Sequence, residues 1–143
     1  MNNATLNQWN FEDVKVGYEI EPIAFSFSEE DVDDFVKLSG DANPLHVDEN
    51  FAKSRGFRGR LVHGALIASK FSYLVGMVMP GIGSLYISQE LNFHNPVYIG
   101  EQCAVKGRVV HKSESTRIIE IKAEIIKSNG ELAIDGIAKV KIL

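Results

Sequence analysis

The sequence predicts an α+β domain in which an antiparallel sheet wraps around one long central helix. The first observation is a nearly all-apolar run from Gly64 to Met79, which is typical of a helix surrounded by protein. The second is a change of period to two after Gly83, where consecutive segments alternate apolar and polar residues. A sheet with one apolar face needs a cover, and the Gly64–Met79 helix can supply it.

The C-terminal half accounts for the predicted sheet. Four segments show the alternation: 85–93, 102–111, 119–125 and 134–142. In the third segment, Ile119, Ile121 and Ala123 alternate with charged residues, as in a strand with one buried face. Asn129-Gly130 lies between the last two segments and is a strong hairpin signal.

The N-terminal half predicts two strands and two helices. The stretch FEDVKVGYEIEPIAFSF predicts an entry strand pair with a turn near Gly17. Ser28 is followed three residues later by an acid, which is the signature of a helix N-terminus. Gly40 can take the left-handed conformation that closes this helix. A second, short helix is predicted over residues 49–54.

Composition limits the possible functions. The chain of 143 residues fits one domain spanning 1–143, with 45% hydrophobic and 24% charged residues. The formal net charge of -4 argues against a nucleic-acid partner, because phosphate binding needs a concentrated basic surface. The single cysteine, Cys103, excludes an internal disulfide and is consistent with a reducing compartment.

Targeting signals are not predicted either. The N-terminal segment does not have a basic stretch followed by an apolar one, as a secretory signal would. The apolar run from Gly64 to Met79 falls short of the ~20 residues that a membrane span needs. We therefore expect a cytoplasmic protein with no membrane partner.

The stretch SGDANPLH, residues 39–46, places an acid and an imidazole on a short, stiff loop. Asp41 and His46 follow Gly40, and Asn43 is pushed towards extended geometry by Pro44. A carboxylate and an imidazole aimed at one point could polarise a water and exchange its protons. The alternative is structural: Asp41 caps a turn and His46 is a satisfied core histidine. Residue types alone favour the structural role.

A second candidate lies in RLVHGALIAS, residues 60–69. The His63-Gly64 pair opens the apolar helix, whose first amides have no partner within the helix. A glycine allows close approach, so the N–H of Gly64 could bind a carbonyl oxygen that gains negative charge during a reaction. Alternatively, Gly64 relieves crowding between the helix and the sheet.

Three motifs together resemble those of a known family. FVKLSGDANPLH, residues 35–46 with Ala52 beyond, resembles the hydratase-2 signature of the MaoC-like, (R)-specific enoyl-CoA hydratases. LVHGAL, residues 61–66, resembles that family's second motif. ELNFHNPVYIGEQ, residues 90–102, resembles the third, with Glu101 where aspartate is common. The resemblance extends roughly from Phe11 onward and implies the hot-dog fold, in agreement with the sheet and helix predicted above.

The resemblance also implies roles. Asp41 and His46 match the catalytic pair, in which Asp41 activates the water that attacks C3 of a trans-2-enoyl thioester and His46 helps to bind it and delivers the proton to C2. Gly64 matches the glycine whose N–H polarises the thioester carbonyl. Ser72 matches a serine near the pair, and Asn43 matches an asparagine that fixes the loop or His46. The product is an (R)-3-hydroxyacyl thioester, and the family forms homodimers with the sheets joined edge to edge.

Two features concern the ligand. KSRGFRGR places four cations within eight positions: Lys53, Arg55, Arg58 and Arg60. Arginine suits phosphate, so this segment could bind the phosphates of coenzyme A or of the phosphopantetheine of an acyl carrier protein, or it is a solvated basic turn.

The four histidines have no metal-ligand spacing, so we predict no metal and no cofactor beyond the carrier on the substrate.

Three alternatives remain open at this stage. A (3R)-hydroxyacyl-ACP dehydratase of a fatty-acid elongation cycle would use the same residues in the opposite direction. A thioesterase fits the motifs less well. A non-catalytic acyl-thioester-binding module would be expected to have lost Asp41 or His46, and both are present.

Overall fold

A six-stranded antiparallel sheet forms the framework of the computed structural model, which describes residues 6–143. The strand order is β1-β4-β5-β6-β2, and the short β3 also pairs with β6. The strands are β1 (Ile23–Phe25), β2 (Ser84–Gln89), β3 (Asn92–Phe93), β4 (Cys103–Ser113), β5 (Ile118–Lys127) and β6 (Leu132–Ile142). The predicted α+β class is confirmed, and the hairpin turn at Asn129-Gly130 joins β5 to β6 as predicted.

Four α-helices accompany the sheet: α1 (Glu29–Ser39), α2 (Pro44–Val47), α3 (Glu49–Ser54) and α4 (Gly64–Tyr73). The predicted central helix is α4, and it continues as a π-helical segment over Leu74–Val78 instead of remaining α-helical to Met79. None of the helices within residues 6–143 is long and apolar enough to cross a membrane.

The core lies between α4 and the inward face of the long strands. Ile67, Phe71 and Leu74 of the central helix are buried in one cluster with the alternating residues of β4, β5 and β6. Gly107 of β4 allows a close approach, because a Cβ atom there would lie 2.7 Å from Met79 Sδ and 3.1 Å from Leu74 Cδ2. The helix is thereby held directly against the sheet.

The predicted ends of α1 are confirmed. Ser28 Oγ accepts a hydrogen bond from the Asp31 amide at 3.1 Å, and the Asp31 carboxylate accepts one from the Ser28 amide at 2.8 Å. This reciprocal pair satisfies amides that the first helical turn leaves free. Gly40 closes the helix in the left-handed conformation, with φ of 79°. The chain therefore leaves α1 in a fixed direction directly before Asp41.

The predicted turn near Gly17 and one strand of the entry segment, β1, are present, but the prediction that this segment pairs with itself is wrong. Phe11–Asp13 is a 3-10 turn, and the following segment bonds to the edge of β4 instead of to itself. The amide of Gly17 donates to the Val109 carbonyl at 2.8 Å, and the amide of Ile20 donates to the Gly107 carbonyl. An unpaired strand edge offers donors and acceptors that a local hairpin would leave unused.

The predicted strand over residues 85–93 is two strands. β2 and β3 both pair with β6, and the backbone between them approaches β6 closely at Glu90. A Cβ atom on Gly136 would lie 1.7 Å from the Glu90 carbonyl oxygen, so only glycine fits there. The amide of Glu90 donates to the Ile137 carbonyl at 2.9 Å, which holds the crossing point in place.

Candidate active site

The Asp41 loop is shaped by its own side chains. A carboxylate oxygen of Asp41 accepts a hydrogen bond from the Asn43 amide at 3.1 Å. The Asn43 side chain accepts one from the Leu45 amide at 3.0 Å and so caps α2, whose first residue is Pro44. The sequence analysis placed Asp41 and His46 on a short, stiff loop, but His46 lies within this one-turn helix. The Asp41 side chain remains half exposed.

His46 is fixed in one tautomer. Its Nδ1 lies 2.7 Å from the Leu61 carbonyl oxygen, which can only accept, so Nδ1 carries the hydrogen. In the neutral imidazole, Nε2 then holds the free lone pair. Burial lowers the pKa of His46 below its ordinary value, because the charged form loses its hydration. At neutral pH the side chain is therefore a base at Nε2.

His63 is a site residue to which the sequence analysis gave no role. Its side chain is 2% exposed, and its Nε2 lies 2.9 Å from the Asp41 backbone carbonyl. Its ring stacks on the His46 ring, with centroids 3.8 Å apart and planes 27° apart. Its Nδ1 is buried without a hydrogen-bond partner among the described residues. The signal in the sequence was its position directly before Gly64, within the second motif.

The structure brings Asp41 and His46 together, with His63 beside them. One ligand-type atom from each of the three residues lies within 4.8 Å of the other two. His46 Nδ1 and His63 Nε2 both face carbonyl oxygens, so the ring nitrogens that could still bind a ligand are His46 Nε2 and His63 Nδ1. Stacked rings also direct their in-plane lone pairs side by side and not towards one point. The expectation that no metal is needed remains a prediction.

Gly64 begins α4 next to this cluster. The first amides of the helix have no partner within the helix and carry its positive dipole end. A Cβ atom at Gly64 would lie 2.6 Å from Cε1 of Phe93, whose ring covers the position that a side chain would take. A larger residue would therefore displace either the helix terminus or Phe93. The crowding suggested as an alternative from the sequence exists, and it involves an aromatic ring.

Ser72 lies two turns along the same helix and is exposed. Within residues 6–143, no hydrogen bond joins it to Asp41 or His46. It shares the exposed face of the central helix with small residues: Ala65, Ser69 and Gly76. Its predicted role in supporting the catalytic pair stays a prediction.

The Arg60 side chain forms hydrogen bonds and ion pairs within the fold. Its Nε donates to the His46 carbonyl at 2.6 Å, and its two terminal nitrogens lie 2.8 Å from Glu29 and 2.6 Å from Asp33. The side chain is only 11% exposed. The three guanidinium nitrogens thus join α1 to α2, the helix that contains His46, so this member of the predicted phosphate-binding group has a structural use.

The other three cations of that group lie on the surface. Lys53 pairs with Glu49 at 2.8 Å, and Arg55 lies over the Phe51 ring. Arg58 lies 4.2 Å from the Tyr98 ring centroid and 3.7 Å from a carboxylate oxygen of Glu101, with its side chain 73% exposed. Phosphate binding by these residues stays a prediction.

Replacing Arg60 with lysine should destabilise the protein. Arg60→Lys keeps the charge but cannot bond the His46 carbonyl and both carboxylates at once. We expect the free energy of unfolding to fall by about 1–3 kcal/mol, as for a partly buried hydrogen bond to a charged group. Urea denaturation measures this change, and Arg58→Lys is the matched exposed control. Equal midpoints for Arg60→Lys and the parent would show that the network contributes nothing.

Comparison with known proteins agrees with this architecture. The MaoC like domain family matches residues 12–130. The chain is 40% identical over 116 residues to the (R)-specific enoyl-CoA hydratase of Aeromonas caviae, covering 81% of this chain and 87% of that protein. It is 37% identical over 113 residues to the mitochondrial 3-hydroxyacyl-[acyl-carrier-protein] dehydratase of Arabidopsis thaliana, covering 77% and 67%.

A solved structure shares the same fold. The structure of the (R)-hydratase from A. caviae involved in PHA biosynthesis superposes with a TM-score of 0.88 at 36% identity, covering 92% of this chain and 99% of that one. This likeness confirms the hot-dog arrangement of a sheet around a central helix. From the sequence match and the shared fold together, the chain belongs to the family of MaoC-like domains.

Proposed function

We propose that this chain catalyses the reversible hydration of trans-2-enoyl thioesters to (R)-3-hydroxyacyl thioesters. The observation that carries the proposal is the meeting of a half-exposed carboxylate and an unprotonated imidazole nitrogen beside the free amides of a helix N-terminus. The names of the relatives, a hydratase and a dehydratase, support the same pair of reactions.

Asp41 and His46 act on one water molecule. Both present hydrogen-bond acceptors, so the water can donate one O–H to the Asp41 carboxylate and the other to His46 Nε2. The oxygen of that water attacks C3 of the enoyl group. Because Nε2 starts unprotonated, His46 can deliver a proton to C2 only after it has taken one from the water. The hydroxyl on C3 and the proton on C2 then account for one added water.

The N-terminus of α4 stabilises the charge that this attack creates. Addition at C3 moves negative charge to the thioester oxygen, as in an enolate. The Gly64 N–H is a fixed donor at the positive end of the helix dipole, and it needs no rearrangement as the charge develops. The mechanism thus assigns orientation and activation of the water to Asp41, proton transfer to His46, and charge stabilisation to the backbone.

Substitution of the two side chains tests the function. The parent should convert crotonyl-CoA to (R)-3-hydroxybutyryl-CoA. The reaction is monitored by the loss of enoyl-thioester absorbance, and chiral analysis identifies the product. Asp41→Asn and His46→Gln should each lower turnover by at least ~100-fold, which is what one acid–base group contributes.

Asp34→Asn and His111→Gln are the matched controls, since both parent residues are exposed and lie outside the candidate site. Near-parental turnover in Asp41→Asn or His46→Gln would contradict the mechanism. If the parent acts only on thioesters of acyl carrier protein, the dehydratase alternative is supported. Acyl-thioester binding without any turnover would support a binding module instead.

We also propose that the exposed arginines of the basic segment bind phosphates of the substrate carrier. Arg55 and Arg58 lie on the surface beyond the network that engages Arg60. A guanidinium group can bond two phosphate oxygens at once. Arg58 is held beside Tyr98 and Glu101, so its position is partly fixed.

A truncated substrate separates this role from catalysis. The double variant Arg55→Gln/Arg58→Gln should raise KM for crotonyl-CoA roughly tenfold, the loss of about one charge-assisted hydrogen bond. KM for the crotonyl thioester of N-acetylcysteamine, which has no phosphate, should not change. Arg108→Gln, at an exposed position on β4, is the control. Equal effects on both substrates would exclude phosphate recognition.

We further propose that two chains associate through the β2 edge of the sheet. This edge strand exposes apolar side chains together with the segment after it: Leu85, Ile87, Leu91 and Phe93. The Ser84 hydroxyl donates to the Val75 carbonyl, so the edge strand lies beside the π-helical end of the central helix. An open edge flanked by apolar side chains favours pairing with a second copy.

Sedimentation measurements test the association. The parent should sediment at twice the 15.9 kDa mass of one chain. Ile87→Lys should shift the population to monomer, because it places a charge at the paired edge. Val110→Lys, at an exposed apolar position of β4, is the control. A monomeric parent, or a dimeric Ile87→Lys variant, would contradict pairing through this edge.

A further inference from the structure

We propose that His63 is a positioning residue that holds Asp41 and His46 in their reactive arrangement. The inference rests on the proposed hydration chemistry and extends it to a residue that does not touch the reacting atoms. The His63 side chain contacts both members of the pair, through a hydrogen bond to the Asp41 carbonyl and a stacking contact with the His46 ring, and the residue directly precedes Gly64.

The contact with Asp41 fixes an otherwise exposed loop. The Asp41 amide bonds the Ser39 hydroxyl, and the Asp41 carboxylate accepts from the Asn43 amide, and both partners are exposed. The bond from His63 Nε2 to the Asp41 carbonyl, 2.9 Å long, is the one that reaches a buried side chain within the described chain. The carbonyl accepts, so Nε2 of His63 must carry the hydrogen.

The contact with His46 fixes the plane of its ring. The two imidazole planes lie 27° apart with centroids at 3.8 Å, and the His63 ring also makes an edge contact with Phe35 at 4.8 Å. With Nδ1 bonded to Leu61, the His46 ring has little freedom to rotate. Its Nε2 is therefore directed by His63 and Leu61 together.

The unpaired Nδ1 of His63 indicates that packing alone does not explain a histidine at this position. His63 Nδ1 is buried without a partner among residues 6–143, and an unsatisfied buried polar atom costs stability. A phenylalanine ring would fill the same space without that cost. The feature that histidine supplies here and phenylalanine lacks is the Nε2–H donor to the Asp41 carbonyl.

Several charged or titratable groups surround His46. His63 stacks on its ring, Asp41 lies across the site, and Arg60 bonds its backbone carbonyl. The Arg60 charge is paired with Glu29 and Asp33 of α1. Removing the His63 ring would therefore change mainly the hydration of His46.

Two variants separate the two contacts. His63→Phe keeps a ring against His46 but loses the donor to Asp41, whereas His63→Gln keeps an N–H donor but loses the ring. Each should lower kcat by roughly 10- to 100-fold, the effect of a displacement of about 1 Å at a reacting group, while KM changes less than about threefold. His111→Phe is the control, since His111 is exposed on β4.

A titration supplies a readout that does not depend on turnover. NMR signals of the His46 imidazole should show that its pKa rises towards the ordinary value in His63→Gln, where water reaches the ring. The pKa should stay low in His63→Phe. If the parent shows no hydratase activity, the proposed function fails, and this titration still tests the positioning.

Several outcomes would overturn the proposal. Parental kcat in both variants, or an unchanged His46 pKa in His63→Gln, would show that His63 does not position the pair. Loss of the fold in both variants by circular dichroism would reduce His63 to a packing residue. Loss of kcat in folded variants, with KM retained and the pKa changed as stated, would support the inference.

Discussion

The close packing of the central helix against the sheet, at Gly107 and under the Phe93 ring, is the constraint on which the rest of the structure depends. Gly107 lets the far end of the central helix approach β4, and Gly64 lets its first turn lie under the Phe93 ring. A side chain at either position would overlap atoms that belong to other elements. Because both ends are held, the amides at the start of α4 have a fixed position, and fixed donors are what charge stabilisation requires.

The three sequence motifs form one chain of contacts that starts from this helix. Residues 60–63 precede α4, and they hold the segment from Asp41 to His46 through Arg60, Leu61 and His63. The amide of Val62 donates to the Val97 carbonyl, so the second motif is in turn held by the third. The position of the first motif therefore depends on the second, and that of the second on the third. The site thus depends on residues far from Asp41 in the sequence.

Local signals were sufficient for much of the fold. The capping pair at Ser28, the closing glycine at residue 40 and the period of two in β4 to β6 each depend on near neighbours in the sequence. The segment around Gly17 pairs with the edge of β4, which is distant in the sequence, and such pairing leaves no local signal. For this reason we predicted that the segment pairs with itself. The role of His63 was missed for the same reason, since its contacts to Asp41 and His46 form only when α4 packs.

The protonation of His46 explains how one site serves both directions of the reaction. In the proposed mechanism, hydration begins when Nε2 takes a proton from water, and dehydration begins when Nε2 takes a proton from C2. Both need the neutral imidazole with its hydrogen on Nδ1, which the Leu61 carbonyl selects and burial favours. The direction of flux then follows from which thioester is supplied, and not from a change in the charge state of the resting enzyme. A hydratase and a dehydratase among its relatives are consistent with that symmetry.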